Sequence, residues 1–505
     1  MTMSLHNNFP RGSAEQLAPA ISNTQFAKTE SIAKTQALSL HNPNVQGKIF
    51  LGIIDGDIST TELDDGRIER FAMGGLPIGA GDDRHMLTVA GSRAGKGRSA
   101  IIPNLITYPG STLIIDPKGE LALLTALWRA FVLGQKIALL DAFGTTPKSL
   151  RKQFGGGFNP LTLLKPGSVS LLEDAGLIAD ALIVASPGEK SPHWNESSRM
   201  FLTGVILHIA TSAEYIGKRN LVSVHHFIMS LSEEAEEAML QNDAHPAIQE
   251  AAIGFFGKPD TERESVLSTL KRHIYFIGFE RIQQVLSTHS IDLSQLKTEN
   301  VTIYLCLPAT KMGICSGWLR LFVNLTLDAM EREPAKPAYP VLMCLDEFAV
   351  LGHMKALEDA VGQIAGFGCK LWPILQDLGQ LQALYGKRWE TFVENAGVLQ
   401  FFGNSGMQTL EWISKRLGQT TVLSTSVKSP GYQSKSQTGD TGESWGQQSH
   451  PLMTPEEISR FFGRDDELLR QLIIRPTWPA MVLQRAYYDK HEMFDEYRDF
   501  MALNP

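Results

Sequence analysis

The sequence predicts an α/β fold: a mostly parallel sheet whose chain is interrupted by an all-helical stretch. Three observations carry this. Short apolar runs of strand length alternate with helix-length segments before residue 168 and again after residue 297. The runs are apolar throughout rather than alternating, as in strands buried on both faces. Strand signals nearly vanish between 168 and 297.

Taken in order, residues 1–45 are rich in Ser, Asn, Gln, Thr and Ala and read as a flexible tail with a short helix over 29–38. Residues 48–55 form a first strand, and Asp55-Gly56 and Asp65-Gly66 mark turns of a small β-rich preamble. Strands follow at 86–90, 111–115 and 136–140, with helices from 100 and over 121–133. The Gly/Pro cluster at 154–161 marks a boundary. Helical spacing fills 171–184, 197–212, 224–230, 233–241, 247–256 and 261–277. Strands return at 301–307, 341–345, 370–375, 398–402 and 481–488, with helices over 317–331 and 410–417. Residues 424–449, rich in Ser, Gly, Gln and Thr, read as a mobile loop. Thr454 and Glu457 make a capping box for a helix over 454–462.

Composition bounds the function. At 505 residues, 43% hydrophobic and 20% charged, the chain is of the soluble globular class with room for two or three domains. The net charge of -8 excludes a global basic field, so a polyanion must be gripped by local patches or by a ring of subunits. No run reaches the ~18 apolar residues of a membrane-spanning helix, and the N-terminus lacks the apolar core of a secretory signal. Cys306, Cys315, Cys344 and Cys369 have no metal-ligand spacing and read as core residues of a reducing, cytosolic compartment.

The chemistry gathers at three strand ends. After the strand at 86–90 comes Ala90-Gly91-Ser92-Arg93-Ala94-Gly95-Lys96-Gly97-Arg98, a Gly-rich turn opening a helix. Such a turn points backbone N–H groups at a polyphosphate, and Lys96 reaches its β and γ phosphates. The turn lacks the usual first glycine and the hydroxyl after the lysine. Water or Ser99 is left to complete a Mg²⁺ shell. The strand at 341–345 ends on Asp346-Glu347, a Walker B element: Asp346 for Mg²⁺, Glu347 for the attacking water. The strand at 370–375 ends on Gln376, whose amide can sense a γ-phosphate.

These residues, in order over about 85–490, resemble the conjugative coupling ATPases of type IV secretion, the TraG/TraD family. The resemblance runs through VAGSRAGKG, LIIDPKGE, GFNPL, SPHWNESSRMFLTG, CLDEFAVLG, ILQDLGQL, ISKRLGQTTV and PLMTPEEI. It implies a RecA-like P-loop NTPase domain in two parts, 46–167 and 298–505, around an all-α domain at 168–297. It implies ATP and Mg²⁺ as cofactors, catalytic Lys96, Glu347 and Gln376, and Asp346 on the metal. It also implies a homo-hexamer passing DNA through a central channel, with relaxase or effector cargo and secretion components at the inner membrane as partners. Asp116, Lys118 and Glu120 fall near the nucleotide without an assigned role. The chain reads as a form without membrane helices, peripheral at the cytoplasmic face.

Some relatives carry an arginine just before the sensor strand. This chain has Phe367-Gly368 there, so Arg388, Arg416 or Lys370 must serve as any arginine finger. DNA contacts fall to Lys271-Arg272-His273, Lys415-Arg416, Lys428 and Lys435. Two other functions fit fewer of the motifs: an adaptor that recruits protein effectors, and a cytosolic FtsK/HerA-like DNA pump.

Overall fold

The computed structural model describes residues 24–35, 39–40, 46–184, 192–427 and 443–504. Its strands are β1 Ile49–Ile54, β2 Asp57–Glu62, β3 Ile68–Met73, β4 Leu76–Ala80, β5 His85–Ala90, β6 Thr112–Asp116, β7 Lys136–Asp141 and β8 Val301–Cys306. They continue with β9 Val341–Leu345, β10 Cys369–Leu375, β11 Ala396–Phe402, β12 Gln419–Val427, β13 Glu443–Pro451, β14 Arg470–Ile474 and β15 Met481–Gln484. Eleven form one sheet in the order β4-β1-β15-β14-β11-β5-β10-β9-β6-β8-β7. From β11 to β7 every pairing is parallel, and from β11 through β14, β15 and β1 to β4 every pairing is antiparallel. The expected α/β class with a mostly parallel sheet is borne out.

The apolar runs do what two-sided burial requires. Along β6, Leu113 and Ile115 join one apolar layer and Ile114 the other. Along β9, Met343 and Leu345 face one layer, Leu342 and Cys344 the opposite one. Between β7 and β8 every regular element among the described residues is helical, from Lys148–Phe154 to Gln295–Thr298. Its interior runs without a break into the sheet: Ile178, Phe201 and Leu270 share one cluster with Leu305 and Met343. The other face is covered by helices Ile102–Thr107, Glu120–Phe131 and Asp495–Leu503.

A buried polar relay fixes the register about β5. Trp372 Nε1 donates to Thr88 Oγ1 (2.8 Å), and Thr88 to Gln400 Oε1 (2.9 Å). Gln400 Nε2 in turn donates to Gln471 Oε1 (2.7 Å), and Gln471 Nε2 to the Leu51 carbonyl (2.7 Å). Each group is satisfied by the next, so the chain of bonds ties β10, β5, β11, β14 and β1 together.

Three expectations are corrected. The segment read as a flexible tail is docked where it is described. Thr24 N donates to the Gln419 carbonyl, Ala27 N to the Ala480 carbonyl, and Ile32 and Leu40 are buried; its helix is Thr29–Lys34. These few apolar side chains suffice to hold it against the sheet. Of the segment read as a mobile loop, residues 428–442 lie outside the described residues and the described ends are paired: β12 and β13 form an antiparallel ribbon from Gln419↔Pro451 to Val427↔Glu443. Its Thr/Val-rich first half has strand propensity despite its polarity. Lys428 and Lys435 lie outside the described residues. The last strand stops at Gln484 rather than 488, because the chain turns there to send Arg485 under the Gly-rich loop. β14, not foreseen, supplies its antiparallel neighbour.

Candidate nucleotide site

The order β5-β10-β9 brings three strand ends together. β5 delivers the Gly-rich loop, β10 delivers Gln376, and β9 delivers Asp346 and Glu347. They open on one cavity of about 870 Å³. Ligands of open parallel sheets lie at the carboxyl ends of strands for this reason.

Lys96 Nζ sits between the two acids, 2.9 Å from Asp346 Oδ1 and 2.8 Å from Glu347 Oε1. Gln376 Nε2 donates to Glu347 Oε2 at 3.4 Å. Burial works against charge on Lys96, but Asp346 and Glu347 outweigh it and hold the ammonium above the ordinary lysine range. Burial pushes the Asp346 carboxyl up, with the Lys96 charge pulling the other way. Glu347 itself is left-handed (φ 55°, ψ 45°). That region is disfavoured for any residue with a Cβ, by roughly 1–2 kcal/mol.

The loop before Lys96 is shaped by two glycines. A Cβ on Gly91 would lie 1.9 Å from the Gly403 carbonyl oxygen, so only glycine lets the loop pass β11. Gly95 has φ 88°. The stretch read as nucleotide-binding therefore divides. Ser92, Arg93, Gly95, Lys96, Gly97 and Arg98 line the cavity. Ala90 and Ala94 are instead buried against Phe402, and Gly91 packs on Gly403. The Arg98 guanidinium is held at 2.6 Å by Asp489 and at 2.6 Å by Glu69, and stacks on Tyr487. Ser99 is buried and turned away, its Oγ donating to the Gly95 carbonyl (3.0 Å).

Asp116, Lys118 and Glu120 also line the cavity. Asp116 is a loop pin: its carboxylate accepts from Ala122 N (2.9 Å) and Lys118 N (3.3 Å). Burial raises its pKa to about 6. A carboxyl raised from 3.8 stabilises the fold fully below pH 3.8 and loses that contribution as pH rises through about 6. Asp116→Asn should therefore gain stability relative to the unmodified chain as pH rises from 4 to 7, read from urea midpoints along the series. A constant difference would refute the assignment. Ala309, Met312, Gly313 and Tyr488 line it as well. No motif announces them, because the fold alone brings the start of helix Ala309–Arg332 and the residues after β15 to this cavity.

The arginine-finger candidates separate by exposure. Lys370 is buried at the far end of β10, its Nζ on the Asp82 carbonyl, with burial lowering its pKa to about 8. Arg388 is largely exposed and pairs with Glu358 at 2.7 Å, and Arg416 is exposed. Of the cations considered for DNA, Arg272, Lys415 and Arg416 are exposed while Lys271 and His273 are half-buried. Among the described residues no cluster of three or more His, Cys, Asp or Glu forms a metal centre, and no helix is long and apolar enough to cross a membrane.

The sequence model of the family described as type IV secretory system conjugative DNA transfer matches residues 48–504. The chain belongs to this family. A conjugal transfer protein TraG of Escherichia coli is 27% identical over 439 residues, covering 81% of this chain and 68% of the relative. The type IV secretion system-coupling protein VirD4 of Bartonella quintana is 25% identical, covering 81% of this chain and 63% of its own length. Among solved structures, plasmid coupling protein TrwB in complex with ADP and Mg²⁺ superposes with a TM-score of 0.60 at 14% identity. That match covers 88% of this chain and 96% of the TrwB chain. TrwB in complex with the non-hydrolysable ATP analogue ADPNP gives 0.58 at 15% identity, covering 80% and 86%. The likeness extends the family's fold to this chain, and the expected family membership is borne out.

Proposed function

We propose that this chain is an ATP-hydrolysing coupling motor that recruits DNA, a relaxase–DNA complex or protein cargo and drives it toward a type IV secretion channel. The observation that carries the reading is the convergence of Lys96, Asp346, Glu347 and Gln376 on one cavity in a member of a conjugative DNA transfer family. A cavity of about 870 Å³ suits a nucleoside triphosphate. The Lys96 ammonium between two carboxylates is the stand-in cation that supports a Mg²⁺ site there. Mg²⁺, when bound, neutralises charge on the β and γ phosphates. Asp346 would hold it, and Lys96 would exchange its carboxylate partners for the phosphates. Glu347 accepts a proton from the attacking water, and Gln376 turns its amide to the γ-phosphate. Ser99 already spends its hydroxyl on the Gly95 carbonyl, which leaves it no part in holding a Mg²⁺. Ser99→Ala should leave the Mg²⁺ dependence of hydrolysis within about two-fold of wild type; a marked rise in the Mg²⁺ requirement would restore the hydroxyl to the shell.

The active assembly is a homo-hexamer at the cytoplasmic face of the inner membrane, with single-stranded DNA in its channel. ATPase rates with and without single- and double-stranded DNA, measured beside the assembly state, test this. DNA-stimulated turnover by a ring supports it; absence of hydrolysis in every condition overturns it.

A second reading, the recruitment of protein effectors, is favoured at one place. Residues 168–297 carry 17 Asp and Glu against 10 Lys and Arg, so this segment holds nearly all of the chain's net charge of -8. A surface of that sign repels phosphodiesters and attracts basic protein. DNA crosslinks should then map outside 168–297; crosslinks concentrated within it would remove the effector reading.

A further inference from the structure

We propose that Arg485 is a positioning residue for the nucleotide site, holding the Ala94 carbonyl outward so that the N–H groups of the Gly-rich loop face the phosphates. The inference rests on the nucleotide reading of the cavity given above.

Arg485 directly follows β15 and is 1% exposed. Its side chain has three acceptors, all main-chain carbonyls. Nη1 donates to Ala94 (2.8 Å), Nε to Leu469 (3.3 Å) and Nη2 to Arg464 (3.4 Å). Among the described residues no carboxylate forms an ion pair with it, and Phe402 presents its ring 5.4 Å away. Burial holds the guanidinium pKa below the ordinary arginine range, and Asp465 and Asp466 act on it only from a distance. An apolar side chain would fill the same space at less cost, so the choice of acceptors calls for an explanation.

The loop supplies one. A backbone that turns its N–H groups toward a polyphosphate turns carbonyls outward, and a buried carbonyl needs a donor. Three carbonyls of the loop have one, that of Gly91 from Ala94 N (3.1 Å) within the turn. The Gly95 carbonyl accepts from Ser99 N (2.9 Å) and Ser99 Oγ (3.0 Å), both from the loop's own helix. The Ala94 carbonyl accepts from Arg485, 391 residues away in sequence. Arg485 also braces the segment behind the loop. Phe462, in that segment, accepts from Gly403 N (2.7 Å), and Gly403 is the residue against which Gly91 packs. Both ends of the turn are thus fixed from the 462–469 stretch.

Arg129 is an internal control. It too is fully buried, and its guanidinium donates to the carbonyls of Leu105, Tyr108 and Gly110 and to Thr302 Oγ1. It does not touch the Gly-rich loop. The test is calorimetric titration of ADP and of a non-hydrolysable ATP analogue into the full chain, comparing Arg485→Met, Arg485→Lys and Arg129→Met, with steady-state hydrolysis alongside. A lost hydrogen bond from a charged donor predicts nucleotide affinity roughly ten- to hundred-fold weaker for Arg485→Met. Arg485→Lys, with one ammonium for three acceptors, should recover part of this. kcat/KM should fall more than kcat, since the loop still closes when saturated. Arg129→Met should lower the melting temperature but leave both affinities within about two-fold. Unchanged affinity in Arg485→Met overturns the proposal, and so does an equal loss in Arg129→Met. If Arg485→Met fails to fold, wild-type affinity in Arg485→Lys overturns it. Failure of the unmodified chain to bind either nucleotide refutes the reading of the site itself.

Discussion

Lys96→Ala should lower kcat/KM for ATP by at least two to three orders of magnitude, the scale set by removing one charge-stabilising donor from a reacting centre. Lys96 is the cation that the loop, through Gly91 and Gly95, is shaped to present, and among the described residues no second cation pairs with Asp346 or Glu347. The same substitution has a thermodynamic signature without nucleotide. The Lys96 pKa is raised in the fold, so its contribution is fully present below 10.5 and lost only as pH climbs through its still higher folded value. At neutral pH the alanine variant forfeits all of it. Asp346, already pushed up by burial, then takes a proton more readily. The loss of stability should therefore be larger at pH 8 than at pH 5. Breaking a fully buried pair costs about 3–5 kcal/mol. Lys96 and Glu347 keep 21% and 35% side-chain exposure, which places this pair below that range. Equilibrium unfolding at the two pH values checks the sign. Undiminished turnover would remove Lys96 from the mechanism.

The parts of this site legible in the sequence are those written locally. A parallel strand buried on both faces must be apolar at every position, so Val341–Leu345 stands out, and the polar residues that end it, Asp346 and Glu347, mark the exit to solvent. The Gly-rich turn is legible for the same reason: the conformations at Gly91 and Gly95 admit almost no other residue. What was not legible is what chain topology supplies. Arg98 meets Asp489 and Arg485 meets Ala94 across 391 residues each, and no local pattern specifies such a pair. Arg485 reads from sequence as one more residue of a strand over 481–488. The β12–β13 ribbon was missed because its polarity resembles that of a linker, while its register depends on pairing. The docking of residues 24–35 and 39–40 rests on very few apolar side chains, too few to show as a period.

The left-handed backbone of Glu347 leads to the other large effect. Glu347→Gln should bind ATP about as well as the unmodified chain and lose roughly two to four orders of magnitude in turnover, the usual worth of a general base. The amide keeps the shape of the carboxylate. Its oxygen can still accept from Lys96 Nζ, and Gln376 need only flip its own amide to meet the new nitrogen. Asp346 continues to pair with Lys96, so the binding apparatus stays assembled. What disappears is the capacity to take a proton. Glu347→Gly separates this from the backbone term. It removes the carboxylate and also relieves the left-handed strain at φ 55°, which should return about 1 kcal/mol to the nucleotide-free fold. The glycine variant is thus expected to be inactive and to outlast the glutamine variant in denaturant, strain having been held at this position for the placement of one carboxylate. Single-turnover hydrolysis, with ATP affinity measured separately, decides the first part. A glutamine variant that still turns over within ten-fold of wild type would pass the role of base to another group.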